Sequence, residues 1–547
     1  MNLNFKMLST ALLLLSSVLA ISQPKLQKNG EATQLIVNGK PFLVLGGEML
    51  NSSTSSKAYM APLWQPLKQM NLNTVLSAVS WELVEPQEGK FDFSLVDEIL
   101  KGARAQDLKV ILLWFGSWKN GLSHYTPVWV KRDIKRFPRI QQAYGSTTET
   151  VSALSLEAAR ADAKAFAALM KHVKEVDAAR QTVIMVQVQN EVGVIGDTRD
   201  HSPMANASFQ QPVPTELLKG LQQHSTELQP ELKRHWQEAG SKTSGNWIEV
   251  FGNNAFADEA FMAWHYARYV NEIATAGKAA YNIPMFVNAW IVQPEDKKPG
   301  DYPAGGPQAH VHDIWRIGAP AIDIKAPDIY LPHFKSITAQ YYHTWNPLFI
   351  PESFSGDAGA ANAFYAIGNH NGIGYSPFGI DRKEANPGNT ALAKAYKVLG
   401  QLMPEILAAQ SKGAIKGVTL TKSDSVQTLQ LGGYEIIVTL RKNWNGVFQT
   451  TKGYGLIIAD GIDAFTVAGS DIDVTFRPIT AGPTKAGLAS VYEGEYVNGI
   501  WKSGRLLNGD DIMISYKLAE EAAANRTGTG VRLQAEPGIV KAKLYRF

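Results

Sequence analysis

The stretch that decides the fold reads Val-Ile-Met-Val-Gln-Val-Gln-Asn-Glu and spans residues 183–191. Its first part is almost continuously apolar, which is typical of a strand buried on both faces of a parallel sheet. The run then ends in three polar residues, Gln189, Asn190 and Glu191. An apolar strand with a polar carboxyl end indicates a βα unit, because loops and side chains that bind ligands gather at that end.

Runs of this kind alternate with helical patterns from about residue 32 to residue 410. The eight predicted strands are 41–49, 74–81, 110–118, 183–189, 285–290, 328–331, 348–352 and 373–378. Helical periodicity occurs between them, for example at 95–105, 158–176 and 261–276, and a helix over 392–410 closes the series. Eight βα units predict an α/β fold of the (β/α)8 TIM-barrel type, with its longest insertion at 196–246. An open doubly wound sheet is the alternative, but no Gly-x-Gly-x-x-Gly follows an early strand.

The pattern changes after residue 411 to short segments that alternate apolar and polar residues. These segments are 426–431, 434–440, 454–458, 472–476, 489–496, 511–516, 531–535 and 539–545. Gly-Gly, Asn-Gly and Asp-Gly turn signals separate them. Residues 411–547 are therefore predicted to form an antiparallel β-sandwich accessory domain, which either covers a flank of the barrel or binds sugar itself.

The amino terminus has the parts of a secretory signal: a short basic start, an apolar run over 7–21, and small residues near a cleavage site at Ser22. The apolar run is shorter than the ~20 residues of a spanning helix and is interrupted by polar residues. We expect residues 1–22 to be removed, and the barrel to occupy residues 23–410. The mature protein is expected to be exported, either periplasmic or secreted, with no membrane span.

Composition excludes several classes of function. The 547 residues are 45% hydrophobic and 19% charged, which predicts a large folded core, and the net charge of +3 gives no reason to expect a nucleic-acid partner. The absence of Cys excludes disulfides, thiolate metal sites and a cysteine nucleophile. His310 and His312 stand two residues apart in a helix-like stretch and so do not share a face. The sequence therefore shows no His/Asp/Glu cluster with the spacing of metal ligands.

Two carboxylates end predicted strands of the barrel. Asn190 and Glu191 follow the fourth strand, and Glu352 ends the seventh. Paired carboxylates at one barrel mouth suit glycoside hydrolysis, in which one protonates the leaving oxygen while the other attacks or activates water. Tyr330, at the end of the sixth strand, is placed to donate a hydrogen bond to Glu352. Asn190 is placed to hold a sugar hydroxyl.

Aromatic residues near other strand ends fit the same chemistry. Trp118, Trp290 and Trp345 are candidates for surfaces on which the C–H faces of sugar rings pack. A single Trp in a barrel more often belongs to the core. Several Trp residues converging on one mouth favour a carbohydrate substrate.

At these residues the chain resembles a clan of (β/α)8 retaining glycosidases, and within it glycoside hydrolase family 35. Asn73-Thr74-Val75 and the segment 81–93, which reads Trp-Glu-Leu-Val-Glu-Pro-Gln-Glu-Gly-Lys-Phe-Asp-Phe, are similar to that family's Asn-Thr-Val, Trp-Asn-x-His-Glu-Pro and Gly-x-Phe-x-Phe motifs. The segment 187–191, Gln-x-Gln-Asn-Glu, is similar to its acid/base motif. The resemblance covers about residues 32–410, and the β-rich tail looks like the accessory domain of a bacterial branch.

The resemblance implies Glu191 as acid/base and Glu352 as nucleophile, with release of terminal β-linked galactose and retained configuration. It implies no metal and no organic cofactor. Where the family carries a carboxylate after its third strand, this chain has Ser117, so we expect Glu48, at the end of the first strand, to supply a sugar-binding acceptor.

These observations lead to an exported, exo-acting β-galactosidase that acts on plant-polysaccharide oligosaccharides such as galactosylated xyloglucan fragments. The first alternative is a glycosidase of different specificity, namely a β-glucosidase, a β-glucuronidase, an α-L-arabinopyranosidase or an enzyme that cleaves within a chain. The second is a non-catalytic protein that keeps the barrel mouth as a sugar-binding site.

Overall fold

The computed structural model describes residues 23–443, 446–514 and 529–547. The predicted signal segment, residues 1–22, lies outside the described residues, as do positions 515 and 516 of the predicted strand 511–516. The described part of that strand forms only an isolated bridge, between Met513 and Thr529. Within the described ranges, no helix is long and apolar enough to cross a bilayer.

The strands are short in the first three quarters of the chain and longer after residue 411. In chain order they are β1 (Lys25–Asn29), β2 (Ala32–Val37), β3 (Lys40–Phe42), β4 (Val44–Glu48), β5 (Thr74–Ser80), β6 (Lys109–Phe115), β7 (Arg139–Gln141), β8 (Thr147–Val151), β9 (Val183–Val188), β10 (Met285–Trp290), β11 (Ile324–Asp328), β12 (Phe349–Ile350), β13 (Gly374–Tyr375), β14 (Ile415–Thr421), β15 (Val426–Leu431), β16 (Tyr434–Leu440), β17 (Lys452–Gly461), β18 (Ala464–Ser470), β19 (Ile472–Pro478), β20 (Ala486–Val497), β21 (Ile500–Leu506), β22 (Val531–Arg532) and β23 (Gly538–Arg546).

The helices lie between the strands of the first 411 residues. They are α1 (Lys57–Met60), α2 (Trp64–Gln69), α3 (Trp81–Val84), α4 (Ser94–Ala105), α5 (Val128–Arg132), α6 (Leu156–Asp177), α7 (Pro203–Phe209), α8 (Thr215–Gln223), α9 (Pro230–Glu238), α10 (Trp247–Phe251), α11 (Ala255–Ala280), α12 (His312–Gly318), α13 (Phe334–Tyr341), α14 (Gly356–Asn369), α15 (Ala391–Gln401) and α16 (Met403–Ser411).

Eight parallel strands form the barrel, in the spatial order β11-β10-β9-β6-β5-β4-β13-β12. The ring closes between β12 and β11 through a parallel bridge of Ile329 with Ser353, where the Ile329 N–H donates to the carbonyl of Glu352 at 3.0 Å. Side chains along β5 alternate in direction, so that Leu76 packs in the barrel interior while Val75 packs against the outer helices. The predicted TIM barrel is confirmed.

The amino end of the barrel is covered by a sheet that was not predicted from the sequence. Strands β1, β2 and β3 form an antiparallel sheet, and Leu35 and Val37 of β2 join the cluster of apolar side chains inside the barrel. This packing removes the interior from water at that end. The opposite end, where the strands' carboxyl ends lie, is called the barrel mouth below.

Most predicted strands lie within a few residues of the observed ones, but the sixth was placed too late. It runs over Ile324–Asp328 instead of 328–331. Lys325 and Pro327 concealed it, because a charged side chain and a proline argue against a buried strand. Lys325 is nevertheless buried, and its ammonium donates to the carbonyl of Ile322 at 3.1 Å.

The outer helices follow the predicted segments with two differences. The helix predicted over 392–410 is divided into α15 and α16 at Leu402, just before Pro404. The insertion after the fourth strand is itself helical and contains α7, α8 and α9. Helix α6 begins where the hydroxyl of Ser155 accepts the N–H of Ala158, a typical amino-terminal cap.

Residues after 411 form two antiparallel sheets around their own apolar core. The six-stranded sheet has the order β14-β17-β18-β23-β20-β21, and the four-stranded sheet has the order β15-β16-β19-β22. Strands β15 and β16 have the predicted bounds, whereas β14, β18 and β21 were not predicted. The six-stranded sheet packs on helix α14, where Gly368 and Gly417 approach so closely that a Cβ on Gly368 would stand 2.7 Å from the Cα of Gly417.

Candidate active site

The barrel mouth brings together polar side chains from six of its eight strands or the loops that follow them. They are Glu48, Lys119, Asn190, Glu191, Asn288, Asp328, Tyr330 and Glu352. All of them except Tyr330 are buried. Because parallel strands end together, residues as far apart in sequence as Glu48 and Glu352 meet here.

Glu352 is held by three hydrogen-bond donors. The hydroxyl of Tyr330 donates to Oε2 at 2.9 Å, and the side-chain amide of Asn190 donates to Oε1 at 3.2 Å. The amide of Asn288 donates to the same oxygen at 3.4 Å. These three donors fix the orientation of the carboxylate.

Glu191 stands on an unusual backbone. Both Glu191 and Gln189 adopt the left-handed region, with φ of 45° and 65°, where L-residues are uncommon. The Glu191 N–H donates to Oδ1 of Asn288 at 3.0 Å, which holds this turn against the neighbouring strand. Local strain that surrounding contacts hold in place is characteristic of functional positions.

The pKa of Glu191 is raised to about 7 by burial and by the negative charge of Glu352. Lys119 and a hydrogen bond with Asp328 act in the opposite direction. A carboxyl group with this pKa is protonated in a substantial fraction of molecules at neutral pH. It can therefore donate a proton, as a general acid must.

Lys119 places a positive charge among the carboxylates. Its ammonium donates to Oδ1 of Asn190 at 3.0 Å and lies 5.2 Å from the centre of the Phe115 ring. Burial would lower the pKa of Lys119, but the surrounding carboxylates, led by Glu352 and Glu191, raise it. Lys119 therefore remains an ammonium group and offsets part of the negative charge of the mouth.

Glu48 ends β4 and is fully buried. Neither of its carboxylate oxygens has a hydrogen-bond partner among the described residues. Burial, followed by the charge of Glu352, raises its pKa well above the ordinary value, and Lys119 opposes that shift. Buried polar atoms normally find a partner, so Glu48 has two oxygens available for hydroxyl donors that enter the mouth.

The carboxylates of Glu191, Asp328 and Glu352 are close enough to act on one atom. One oxygen of each lies within 4.8 Å of the others. Three carboxylate oxygens resemble part of a site for a hard cation, which takes six or more oxygen ligands. Here Lys119 already supplies a positive charge, and Glu352 already accepts from Asn190 and Tyr330. This arrangement suits proton transfer and bond formation better than metal binding.

The three candidate Trp residues have different positions. Trp290 is partly exposed at the carboxyl end of β10, and its carbonyl accepts from the Gln308 side chain at 2.6 Å. Trp118 is fully buried, with its N–H donating to the carbonyl of Val151 at 3.0 Å and its ring 4.9 Å from that of Tyr266. The expectation that Trp118 presents a face to a ligand is wrong, because core side chains cover it.

Trp345 lies at the other end of the barrel. It precedes β12, and its neighbour Asn346 bonds both the N–H and the carbonyl of Lys325, near the start of β11. Its ring stacks on His343 at 4.9 Å and faces the guanidinium of Arg316 at 4.6 Å. Loops before barrel strands lie at the amino end, so the expectation that Trp345 contacts substrate is wrong.

Ser117 does not face the mouth. Its hydroxyl donates to Oδ2 of Asp162 at 2.7 Å and lies 2.7 Å from the hydroxyl of Tyr269 on α11. Asp162, on α6, also accepts from Trp114 and Gln189, and burial raises its pKa to about 6. These hydrogen bonds fix the segment that follows β6, the third barrel strand, on the side that faces away from the mouth.

Sequence reasoning missed Lys119, Asn288 and Asp328. It examined the residue that closes each strand, whereas Asn288 lies inside β10 and Lys119 lies beyond the end of β6. Asn288 carried a usable signal, since it is the one polar residue in the otherwise apolar run Met285–Trp290. Asp328 was hidden because the sixth strand was placed too late, which made it the first residue and not the last.

The raised pKa of Glu191 has a consequence for stability. A carboxyl group that ionises near pH 7 in the folded state and near 4.5 in the unfolded state costs stability, and the cost grows between these pH values. At pH 8 the free energy of unfolding of Glu191→Gln should therefore exceed that of the wild type by about 2–4 kcal/mol, and its urea midpoint should be higher. The difference should vanish at pH 4.5. Equal urea midpoints for Glu191→Gln and the wild type at pH 8 would contradict this prediction. Glu536→Gln, which removes a carboxylate at an exposed position, is the matched control.

Part of the barrel is similar in sequence to known glycosidases. Residues 56–272 match the family model of glycoside hydrolase family 42, described as beta-galactosidase. Residues 392–517 match DUF5597, a domain of unknown function. The barrel is thus β-galactosidase-like. The first match includes Glu191 but ends before Glu352, and the assignment to family 35 stays a prediction.

A curated beta-galactosidase from Xanthomonas manihotis is 31% identical over 217 residues, which are 37% of this chain and 33% of that protein. The match thus spans about one third of the relative's length. Among solved structures, the catalytic domain of a beta-amylase from Paenibacillus polymyxa has a TM-score of 0.45 at 11% identity, covering 63% of this chain and 94% of that one. A beta-galactosidase from Bacillus circulans sp. alkalophilus has a TM-score of 0.44 at 15% identity, covering 67% and 57%.

Proposed function

We propose that the protein is a retaining, exo-acting β-galactosidase, with Glu191 as acid/base and Glu352 as nucleophile. The observation that carries this proposal is the approach of their carboxylate oxygens to within 4.8 Å. Retaining glycosidases hold their two carboxyl groups about 5–5.5 Å apart, whereas inverting enzymes need about 6.5–9.5 Å to admit a water molecule. The spacing in this mouth supports direct attack by one carboxylate on the sugar.

The two carboxyl groups have environments suited to different roles. Glu352, with donors on both oxygens, is arranged as an anion that attacks the anomeric carbon. Glu191, with its raised pKa, protonates the leaving oxygen as the glycosidic bond breaks. In the second step Glu191 takes a proton from water, water attacks the glycosyl-enzyme, and Glu352 leaves as a carboxylate.

The sugar proposed is β-linked galactose at the end of a plant-polysaccharide fragment, such as galactosylated xyloglucan. The similarity of the barrel to β-galactosidases supports this sugar. Glu48, with two unpartnered oxygens, is the acceptor for sugar hydroxyls, and the partly exposed Trp290 is the ring against which the sugar packs. Asn190 already uses its amide on Glu352, and its second N–H is proposed to hold the 2-hydroxyl.

The proposal includes export, which rests on the signal pattern in residues 1–22. Membership of family 35 is likewise proposed from the motifs in segments 73–93 and 187–191. The assignment of the two glutamates does not depend on whether family 35 or family 42 is correct. It is proposed from the barrel mouth itself, where Glu191 follows β9 and Glu352 follows β12.

A retaining glycosidase with another sugar specificity is the second candidate. The observation that favours it is the position of Ser117, which faces Asp162 behind the strand and leaves no side-chain acceptor there for a sugar. Glu48, at the end of β4, then accepts hydrogen bonds from the sugar on a different side of the mouth. A β-glucosidase or an α-L-arabinopyranosidase would fit such a mouth.

A panel of aryl glycosides tests the proposed function. We expect the β-galactoside to be hydrolysed at least about tenfold faster than the β-glucoside, β-glucuronide and α-L-arabinopyranoside, since a misplaced or missing hydroxyl leaves buried polar groups unpaired. Galactosylated xyloglucan, galactan and lactose extend the panel, and proton NMR should show the β-anomer of galactose first. Faster turnover of another glycoside would move the assignment to that sugar, and initial release of the α-anomer would exclude retention.

A further inference from the structure

Asp328 is a buried carboxyl group in the mouth to which the mechanism above gives no role. It ends β11 and is 2% exposed. Its Oδ2 accepts from the amide of Asn288 at 2.7 Å, while Oδ1 faces no donor among the described residues. One carboxylate oxygen of Asp328 lies within 4.8 Å of one of Glu191, and each of these carboxyl groups acts on the pKa of the other. Two carboxyl groups can hydrogen-bond to each other only when one of them carries a proton.

The charges around Asp328 favour keeping that proton. Glu352 after β12, Glu191 after β9 and Glu48 on β4 all face it, and Lys119 after β6 is a neighbouring cation. The hydroxyl groups of Tyr330 and Tyr341 also lie near it. Four buried carboxylates against this one ammonium would leave a large uncompensated charge, so holding a proton on the pair lowers the cost of burial.

We propose that Asp328 and Glu191 share one proton, and that Asp328 is a positioning residue which stores it for the acid step. The inference rests on the proposed function. Asn288 supports the arrangement, because the same side chain accepts from the Glu191 backbone and donates to Asp328. The acid of this enzyme is therefore a pair of carboxyl groups.

The proton balance over one catalytic cycle is closed. In the first step the shared proton passes through Glu191 to the glycosidic oxygen. The bond from that oxygen to the anomeric carbon breaks with its electrons remaining on oxygen, and Glu352 bonds to the carbon. In the second step water bonds to that carbon, the Glu352 ester bond breaks with its electrons returning to the carboxylate, and the proton of water restores the Asp328–Glu191 pair.

The alkaline limb of the kcat/KM profile tests this sharing. In the wild type, loss of the last proton from the pair would leave two adjacent negative charges. This raises the apparent pKa of the alkaline limb. In Asp328→Asn the remaining Glu191 anion has a neutral amide beside it, so the limb should move at least about one pH unit lower. Asp328→Glu, which keeps a carboxyl group, should restore the limb toward the wild-type position.

Asp162→Asn is the matched control, because Asp162 is an equally buried aspartate that bonds Ser117 and Gln189 and does not face Glu191. It should lower stability without moving the limb. A limb that stays in place in Asp328→Asn, or moves equally in Asp162→Asn, would overturn the proposal. A uniform loss of rate at every pH would show a purely structural role and would also overturn it.

Infrared spectroscopy provides a readout that does not need activity. In protein labelled with 13C-aspartate, a protonated-carboxyl band that shifts with the label should persist at neutral pH and disappear in Asp328→Asn. Its absence in the wild type would refute proton sharing even if the enzyme hydrolyses galactosides. If the band is present and no glycoside is cleaved, the proposed function fails while the shared proton stands.

Discussion

Replacing Glu352 with glycine is expected to lower turnover of an aryl β-galactoside on the order of 10⁴-fold, and added azide is expected to give α-galactosyl azide. In the proposed mechanism this carboxylate forms the bond to the anomeric carbon, and the substitution removes it. Asp328 is already held by the amide of Asn288 at 2.7 Å, and Glu48 ends a different strand, β4.

The azide product follows from geometry. Removing the side chain leaves a space between Tyr330 and Asn190, whose donors otherwise hold Glu352. A small anion entering that space attacks from the face that Glu352 would have used, and the acid Glu191 still assists the leaving group. One displacement in place of two inverts the β-galactoside, which gives the α-product.

The measurement is initial rate with and without azide, with products identified by NMR. Glu536→Gly is the matched control, because Glu536 is an exposed carboxylate in the β-sandwich, paired with Lys394 at 2.8 Å, and its loss should leave the rate unchanged. Retained turnover in Glu352→Gly would remove Glu352 from the mechanism. Inactivity with no azide product at any concentration would argue against the position assigned to the nucleophile.

Glu191→Ala is expected to slow hydrolysis most for substrates whose leaving group must be protonated. For lactose, whose leaving group is a poor one, kcat/KM should fall about 10²–10⁴-fold, which is the usual contribution of general acid catalysis. For 2,4-dinitrophenyl β-galactoside, which leaves without protonation, the glycosylation step should be nearly unaffected. Azide should then accelerate turnover and yield β-galactosyl azide, because Glu352 is intact and two displacements occur.

Glu82→Ala is the control for this variant. Glu82 also follows a barrel strand, but it is partly exposed and paired with Lys131 at 3.3 Å, outside the buried cluster. An equal loss on lactose and on the dinitrophenyl substrate would contradict the acid/base assignment. It would mean that Glu191 supports the structure of the mouth without moving a proton.

The fold could be predicted from the sequence because buried parallel strands read as continuous apolar runs. Met285–Trp290 was located with its observed bounds. The sixth strand was misplaced since Lys325 and Pro327 interrupt it, and only the tertiary structure supplies the Ile322 carbonyl that receives the lysine. The break between α15 and α16 was also missed, although Pro404 marks it.

For the site, the sequence identified residues that terminate strands. It missed residues whose role depends on contacts with side chains from other strands. Glu191, Glu352 and Tyr330 were found because each follows an apolar run. Trp345 was misjudged because it precedes a strand, and residues before a barrel strand lie at the amino end. The pairing of Asp328 with Glu191, on β11 and after β9, depends on contacts between strands that are not adjacent in the barrel and is invisible to local patterns.

The arrangement of Glu48, Asp328, Glu191 and Glu352 around Lys119 also bears on what the mouth excludes. Even with one proton shared, these groups carry more negative than positive charge. A uronic acid that enters would place its own carboxylate about 5 Å from another anion, which costs about 3 kcal/mol at an effective dielectric constant of 20. Such a mouth would therefore favour neutral sugars over uronic acids.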